Sequence, residues 1–231
     1  MTATVFPPPP PVLADIAGSS GKFPVRRIFC VGRNYHAHAA EMGVSVDKHS
    51  QEPFYFLKDA SAYVPSGSTV PYPPQTEHYH YEMELVVAIG ADGFEVAEDE
   101  ADGLIYGYAC GLDMTRRDLQ LKARESGRPW DLGKNFAQSA VLSPIVRKSG
   151  TGVLDSGTIE LRVNGKTVQS SNLNLLIWNV REIIAHLSKF YRLQAGDLIF
   201  TGTPDGVGAV KSGDVLVGSI DGIGEINLCI G

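Results

Sequence analysis

The sequence predicts a single, mostly β domain with a few short helices. Residues 78–90, "HYHYEMELVVAIG", begin with the strict alternation of a strand. The segment "TIELRVNGKTVQS" places two alternating stretches around Asn164-Gly165, a dipeptide favoured in type I′ hairpin turns. Strands and helices do not alternate in a βαβ rhythm, and there is no internal repeat. We therefore expect an antiparallel or mixed β architecture, in which 231 residues form one domain with its own core.

Composition excludes several classes of protein. The chain is 43% hydrophobic and 20% charged, which is typical of a folded globular protein. Its net charge of −6 argues against nucleic acid or an anionic membrane surface as a partner. No apolar run approaches the roughly 20 residues that a membrane span needs, and the N-terminus lacks the features of a secretory signal. Cys30, Cys110 and Cys229 lie among apolar neighbours without a CxxC pair, so we expect reduced thiols and a cytoplasmic location.

The first 24 residues are predicted to form a proline-rich arm, and residues 25–231 to form the folded domain. The run "FPPPPP" at residues 6–11 favours polyproline II and cannot join a central sheet. The arm should therefore lie on the surface or on a partner subunit.

Along the domain, each predicted element follows from periodicity and from its start and stop residues. The first part of the domain is predicted to contain a core strand at 25–32, a helix at 34–43 with Asn34 as N-cap and Gly43 at its end, a strand at 53–58, and the strand at 78–90. The second part is predicted to contain a buried strand at 104–113, a polar helix closed by Gly127, the hairpin around Asn164-Gly165, the longest helix within 175–191, and short strands with glycine turns from 197 onward.

Two carboxylates on the same face of the strand at 78–90 suggest a metal site. Glu82 and Glu84 lie about 6.6 Å apart along a strand, close enough to converge on one cation. They could instead face water, and these two residues alone leave both readings open. Asp113 favours the metal, because it ends a second apolar strand and completes an all-oxygen ligand set suited to Mg²⁺ or Mn²⁺. His78 and His80 are interpreted as neighbours of the site rather than as zinc ligands.

A histidine and a glutamate form the candidate base. His38 and Glu41 lie at i, i+3 in the predicted helix, where a carboxylate can orient the imidazole and raise its basicity. The alternative is an exposed helical ion pair. His36 is a rival for the same role, but its spacing from Glu41 directs it away.

Further polar residues lie near these predicted elements. Lys134 stands in an apolar setting, "PWDLGKNF", where an ammonium needs an anionic partner. Arg33, Arg117 and Gln120 could bind an anionic substrate. The segment "TGTPDGVG", residues 201–208, lacks the ending of a phosphate-binding loop and is interpreted as a tight turn that offers Thr203.

The motifs "GRNYHAHAAEMG", "YEMEL", "GLDMTRRDLQ", "PWDLGKNF" and "FTGTPDGVG" occur in the order found in the fumarylacetoacetate hydrolase superfamily, which the chain resembles from about Val25 onward. The resemblance is greatest to its short single-domain acylpyruvate hydrolase branch. It implies a mixed β-roll of packed sheets, a homodimer, and Mg²⁺ or Mn²⁺ held by an E-x-E pair and a distant Asp. One departure is Asp59, where many relatives have proline, and it leaves the role of Lys58 open.

The resemblance also implies roles for the individual residues. The metal ligands match Glu82, Glu84 and Asp113; the catalytic residues match His38, Glu41 and Lys134; substrate contacts match Arg117, Gln120 and Thr203, with Arg33 or Arg117 as the clamp for a far carboxylate.

The activity implied is metal-dependent hydrolysis of the carbon–carbon bond of a 2,4-diketo acid. Fumarylpyruvate, an intermediate of gentisate degradation, is the expected substrate. Oxaloacetate decarboxylation and isomerase or decarboxylase action on hydroxymuconate-type diacids are alternatives on the same scaffold. A non-catalytic metal-dependent binding protein is a more remote alternative.

Overall fold

The computed structural model describes residues 4–231 as a set of packed sheets with short helices between them. The strands are β1 (Val12–Asp15), β2 (Lys22–Val25), β3 (Arg27–Gly32), β4 (Phe54–Lys58), β5 (Tyr63–Pro65), β6 (Ser68–Val70), β7 (Tyr79–Tyr81), β8 (Met83–Ile89), β9 (Ile105–Asp113), β10 (Thr115–Arg116), β11 (Ala140–Leu142), β12 (Val146–Arg147), β13 (Thr158–Val163), β14 (Lys166–Asn172), β15 (Asp197–Phe200), β16 (Gly208–Ala209), β17 (Val215–Ile220) and β18 (Gly224–Ile230). The α-helices are α1 (His36–Glu41), α2 (Arg117–Glu125), α3 (Asp131–Lys134), α4 (Lys148–Thr151) and α5 (Val180–Phe190).

Two large sheets dominate the architecture. The first has the order β4-β3-β15-β8-β9-β11-β5, with β12 also paired to β9, and the second has the order β14-β13-β17-β18-β6. Smaller sheets, β10-β7-β16 and β1-β2, complete the set. Most pairs are antiparallel, whereas β15–β3, β11–β5 and β18–β6 are parallel. The predicted mixed, mostly β fold is confirmed.

The larger sheet is covered on both faces. Leu85, Val87 and Ile89 of β8 join one core cluster, which contains the inward side chains of the second sheet and of α5. Val86 and Ala88 join the other cluster, which contains Ala14 and Phe23 of the β1–β2 hairpin. The predicted alternation in β8 is therefore present, but every residue of this strand is buried because both faces carry a core.

Part of the predicted N-terminal arm packs against the domain. Residues 12–25 form the β1–β2 hairpin, and its Ala14 and Phe23 side chains are buried. The proline run at 7–11 is exposed. Residues 1–3 of the predicted arm lie outside the described residues. The boundary at residue 25 stays a prediction, while the packing shows that the hairpin covers one face of the large sheet.

The helix ends and the hairpin turn lie at most of the positions that the sequence predicts for them. Asn164 and Gly165 have φ of 50° and 80°, as a type I′ turn requires. The longest helix starts at Val180 because Asn179 and Glu182 form a capping box. None of the helices within residues 4–231 is long and apolar enough to cross a membrane.

The prediction that Asn34 caps α1 is wrong. The capping residue is Tyr35, and no side chain caps this helix. The Asn34 side chain instead donates to the carbonyls of Trp178 (2.9 Å) and Thr201 (2.8 Å) and accepts from the Trp178 N–H (2.8 Å). It thus ties the loop before α1 to the segment before α5 and to the turn after β15. Gly43, with φ of 70°, lies just past the end of α1 as predicted.

Replacing Asn34 with Ala should lower the free energy of unfolding by about 2 to 4 kcal/mol, because it leaves buried backbone groups of Trp178 and Thr201 without partners. Urea unfolding followed by far-UV circular dichroism measures the change. Asn174→Ala, the same substitution at an exposed position, is the matched control. Equal stabilities of the two variants would contradict this role for Asn34.

Candidate active site

Three carboxylates converge at one end of the large sheet. Glu82 lies between β7 and β8, Glu84 belongs to β8, and Asp113 ends β9. The backbone N–H of Asp113 donates to the carbonyl of Glu82 (2.9 Å), which keeps the two strand ends together. All three side chains are buried, and one oxygen from each lies within 4.8 Å of the others. The convergence predicted from their spacing is therefore present.

The two glutamates have opposite electrostatic surroundings. Burial, followed by the charges of Asp113 and Glu82, raises the pKa of Glu84 well above its ordinary value. Its Oε2 accepts a hydrogen bond from the backbone N–H of Gly202 (2.7 Å). Burial also opposes ionisation of Glu82, but the nearby charges of Lys134 and Arg117 hold its pKa below the usual range.

Lys134 lies among the acidic groups. Its Nζ is 2.7 Å from Glu82 Oε2, 2.6 Å from Asp113 Oδ2 and 2.7 Å from Thr115 Oγ1. Burial by itself would lower the pKa of Lys134, but the two carboxylates raise it, so the side chain remains an ammonium. The anionic partner predicted for Lys134 is thus the carboxylate cluster itself.

Lys58 supports the site from behind. Its buried Nζ lies 2.8 Å from Asp113 Oδ1 and donates to Ser139 Oγ (3.0 Å) and to the carbonyl of Lys134. The contact with Asp113 is an ion pair without hydrogen-bond geometry, so Asp113 Oδ1 has no hydrogen-bond partner among residues 4–231. The neighbouring Asp59 accepts from the Ser61 N–H (2.8 Å) and caps a short 3₁₀ turn.

The carboxylate cluster fits a divalent cation. It offers oxygen donors alone, as hard ions prefer. Asp113 Oδ1 is buried without a hydrogen bond, and the raised pKa of Glu84 shows that three buried carboxylates are electrostatically unfavourable without more positive charge. His78 and His80 lie apart from the cluster, beside Arg117 and Asp118, and they do not join it.

The predicted base pair is formed on α1. His38 Nδ1 lies 3.2 Å from Glu41 Oε2, and Glu41 Oε1 accepts from the backbone N–H of Gly206 (3.1 Å). This contact favours the tautomer with its proton on Nδ1, which leaves Nε2 free to accept a proton. His38 is buried whereas His36 is exposed. The alternative of an exposed ion pair therefore does not describe His38.

The remaining predicted residues line the same cavity. Arg117 forms an ion pair with Glu82 and donates to Gln120 Oε1. Thr203 Oγ1 accepts from Gln169 Nε2 (2.9 Å). The cavity is narrow, about 30 Å³, and its lining includes His38, Glu82, Glu84, Arg33, Arg117, Gln120, Lys134 and Thr203.

Sequence reasoning missed several residues of the site. Thr115 and Gln169 have no local signal, since their partners come from distant parts of the chain. Trp130 belongs to the motif "PWDLGKNF", in which only Lys134 has a predicted role, yet Trp130 also lines the cavity. Arg124 also lines the cavity, and its position in the sequence could have indicated this. It lies at i+4 from Gln120, on the same face of α2.

Comparisons with known proteins agree with this arrangement. Residues 27–230 match the family described as fumarylacetoacetate (FAA) hydrolase C-terminal. A fumarylpyruvate hydrolase of Ralstonia sp is 60% identical over 190 residues, which is 82% of this chain and 98% of the relative. The mitochondrial oxaloacetate tautomerase FAHD1 of Rattus norvegicus is 41% identical over 86% of this chain and 88% of its own length. A crystal structure of fumarylpyruvate hydrolase from Pseudomonas aeruginosa in complex with Mn²⁺ and pyruvate has a TM-score of 0.95 at 49% identity, with 99% of each chain covered.

In metal-free protein, Glu84→Gln should be more stable than the wild type at pH 8, because the variant places no charge at this position in the buried cluster. Because its folded pKa is raised, Glu84 adds stability below its ordinary pKa of 4.5 and loses that contribution as the pH rises. The advantage of the variant should therefore shrink as the pH falls toward that value.

Urea unfolding in EDTA between pH 4 and pH 8 measures this difference. Glu98→Gln, the same change at an exposed position, is the matched control. A difference between wild type and Glu84→Gln that stays constant with pH would contradict the electrostatic description of the cluster.

Proposed function

The chain belongs to the fumarylacetoacetate hydrolase family, and we propose that it is a metal-dependent hydrolase that cleaves a carbon–carbon bond of the 2,4-diketo acid fumarylpyruvate, giving fumarate and pyruvate. The observation that carries the proposal is that Glu82 and Glu84 of the buried carboxylate cluster and the buried His38, paired with Glu41, line one cavity. The names of the Ralstonia and Pseudomonas relatives support the same substrate.

Glu82, Glu84 and Asp113 are the proposed ligands of a divalent cation, Mg²⁺ or Mn²⁺. The ion in the Pseudomonas complex, where Mn²⁺ occurs together with pyruvate, supports this assignment. When bound, such an ion supplies a Lewis acid for the keto oxygen and carboxylate at the pyruvoyl end of the substrate.

His38 is the proposed general base. Oriented by Glu41, its Nε2 takes a proton from a water molecule, and the resulting hydroxide attacks the carbonyl carbon of the fumaryl group. The three N–H donors of Lys134 are taken by Glu82, Asp113 and Thr115, so its ammonium stabilises the negative charge on that carbonyl oxygen through its charge, with Gln120 as the hydrogen-bond donor. The bond between the fumaryl carbonyl and the pyruvate methylene then breaks, fumarate leaves, and the pyruvate enolate is protonated.

The substrate contacts follow from which polar groups remain available. Arg117 is already paired with Glu82 and Gln120, so it holds the cluster together rather than binding the far end of the substrate. Arg33 is the better clamp for the fumaryl carboxylate, because no carboxylate within residues 4–231 lies at ion-pair distance from it. Thr203 contacts the pyruvoyl end.

The cellular setting is also part of the proposal. The enzyme acts in gentisate degradation, works in the cytoplasm and forms a homodimer, as the family resemblance implies. Exposed apolar side chains such as Leu132 and Phe190 fit a contact surface between subunits.

Action on oxaloacetate is the second candidate, supported by the tautomerase relatives. Enolisation needs a bound metal and a proton acceptor, but it does not need a histidine–glutamate pair that activates water for attack on a second carbonyl. A binding protein without catalysis is disfavoured for the same reason, since binding alone does not require the pairing of the buried His38 with Glu41.

A panel of fumarylpyruvate, maleylpyruvate, acetylpyruvate and oxaloacetate tests the function. With Mn²⁺ or Mg²⁺ present, we expect the highest kcat/KM for fumarylpyruvate, with fumarate and pyruvate as products. Activity should disappear in EDTA and return when the metal is restored, because the proposed chemistry depends on the ion. A higher kcat/KM for oxaloacetate than for any diketo acid would favour the second candidate instead.

His38→Ala should reduce kcat for diketo-acid hydrolysis by about 10²- to 10⁴-fold, the range for loss of a general base. His36→Ala removes an exposed histidine from the same helix and should leave kcat unchanged. Mn²⁺ affinity, measured by calorimetry, should be similar in both variants. Hydrolysis at the wild-type rate by His38→Ala would show that another group activates the water.

A further inference from the structure

Two arginines in the cavity lack an acidic partner. Arg33 lies in the loop between β3 and α1, and Arg124 lies near the end of α2. Both line the narrow cavity that contains His38 and Lys134. Among residues 4–231, no carboxylate lies within ion-pair distance of either guanidinium, although Arg117 in the same cavity is paired. Partly buried guanidinium groups without a counter-ion favour an anionic ligand.

The backbone at Arg33 is held in an unusual conformation. Its φ is 60°, in the left-handed region that a non-glycine residue seldom adopts. The next residue, Asn34, is fixed by its three hydrogen bonds, and the Arg33 guanidinium lies 5.9 Å from the Phe54 ring and 5.7 Å from the Trp130 ring. Strained backbone of this kind is common where a side chain must be aimed at a ligand.

Arg124 lines the same cavity from α2. It follows Gln120 by one helical turn, and its Nη1 donates to the carbonyl of Met42 at the end of α1 (3.0 Å). An arginine side chain has five N–H donors, so most of those of Arg124 remain available. Arg33 and Arg124 line the same two spaces, and burial followed by the charge of Arg124 lowers the pKa of Arg33.

Their location matches the far end of an elongated substrate. The narrow cavity of about 30 Å³ adjoins an open groove of about 590 Å³. The residues that line both spaces, and so lie where one passes into the other, are Arg33, Phe56, Arg124, Trp130 and Lys134. A diketo acid whose pyruvoyl end lies at the carboxylate cluster extends toward this junction. The groove adds Arg128 and a single acidic residue, Asp131, so most of the charged side chains in its lining are cationic.

We propose that Arg33 and Arg124 together bind the second carboxylate of the substrate, and that Arg124 is the residue that selects acyl groups ending in a carboxylate. This inference rests on the proposed hydrolase function. Two guanidinium groups on one carboxylate give charge-assisted hydrogen bonds from two directions, which a substrate ending in a methyl group cannot form. The two arginines therefore discriminate against substrates such as acetylpyruvate, whose acyl group lacks that carboxylate.

The test compares two substrates in Arg124→Gln. We expect kcat/KM for fumarylpyruvate to fall about 30- to 100-fold, the effect of losing hydrogen bonds to a charged group. We expect kcat/KM for acetylpyruvate to change less than about threefold. Arg124→Lys should recover part of the loss, because it keeps the charge. Lys122→Gln removes the same charge from an exposed position of α2 and should leave both substrates unaffected.

Three results would overturn the inference. An equal loss for both substrates would mean that Arg124 acts by holding α1 in place through Met42. An unchanged kcat/KM for fumarylpyruvate would leave the second carboxylate to Arg33 alone. The third result would come from calorimetry of fumarate binding to the metal-loaded protein. Equal affinity of the wild type and of Arg124→Gln for fumarate would contradict binding of a carboxylate by both arginines.

The binding measurement also separates this inference from the proposed function. If the wild type hydrolyses no diketo acid but binds fumarate more tightly than Arg124→Gln does, the hydrolase function is wrong and the carboxylate site stands. If the wild type hydrolyses fumarylpyruvate and Arg124→Gln does so equally well, the function stands and the arginine pair is wrong.

Discussion

Buried charges of opposite sign hold the middle of this molecule together. Two of the three carboxylates, Glu82 and Asp113, meet three cations that come from β4, α2 and α3, namely Lys58, Arg117 and Lys134. Glu84 accepts a hydrogen bond from the backbone N–H of Gly202. A buried charge that loses its partner costs about 3 to 5 kcal/mol, so none of these elements can move away independently. The large sheet is therefore coupled to α2 and α3 by ion pairs as well as by apolar contacts.

The same balance of charge relates the metal to the substrate. Without a metal, burial and the charges of Asp113 and Glu82 raise the pKa of Glu84 and so favour its neutral form. With a divalent ion bound and all three carboxylates ionised, the ion and the three cations outweigh the carboxylates, so the site has an excess of positive charge. A substrate with a carboxylate at each end carries the charge that restores neutrality. Arg33 and Arg124 add further positive charge at the cavity's outer end, which favours a dianion over a substrate with one carboxylate.

The sequence predicts best those features whose interacting residues lie close together in the chain. The alternation in β8, the Asn164-Gly165 turn and the pairing of His38 with Glu41 depend on near neighbours, and the structure contains all three contacts or conformations. Lys58 could not be assigned, because its partners, among them Asp113 and the carbonyl of Lys134, are at least 55 residues away. Asn34 was misassigned for the same reason. Its position before a helix predicts a cap, whereas its actual partners lie far along the chain at Trp178 and Thr201.

The glycine-rich segment 201–208 joins the proposed metal site to the proposed base. Gly202 donates its N–H to Glu84, and Gly206 donates its N–H to Glu41, so one loop orients a carboxylate of each group. Both glycines have positive φ, and a Cβ would lie 2.7 Å from the Cβ of Asn34 at Gly202 and 2.1 Å from the Val168 carbonyl oxygen at Gly206. A general base acts only when it is held within hydrogen-bond reach of the proton that it takes, and the reacting groups must be held in a fixed geometry. A loop that fixes Glu84 and Glu41 relative to each other therefore sets the distance between the proposed metal site and the proposed base.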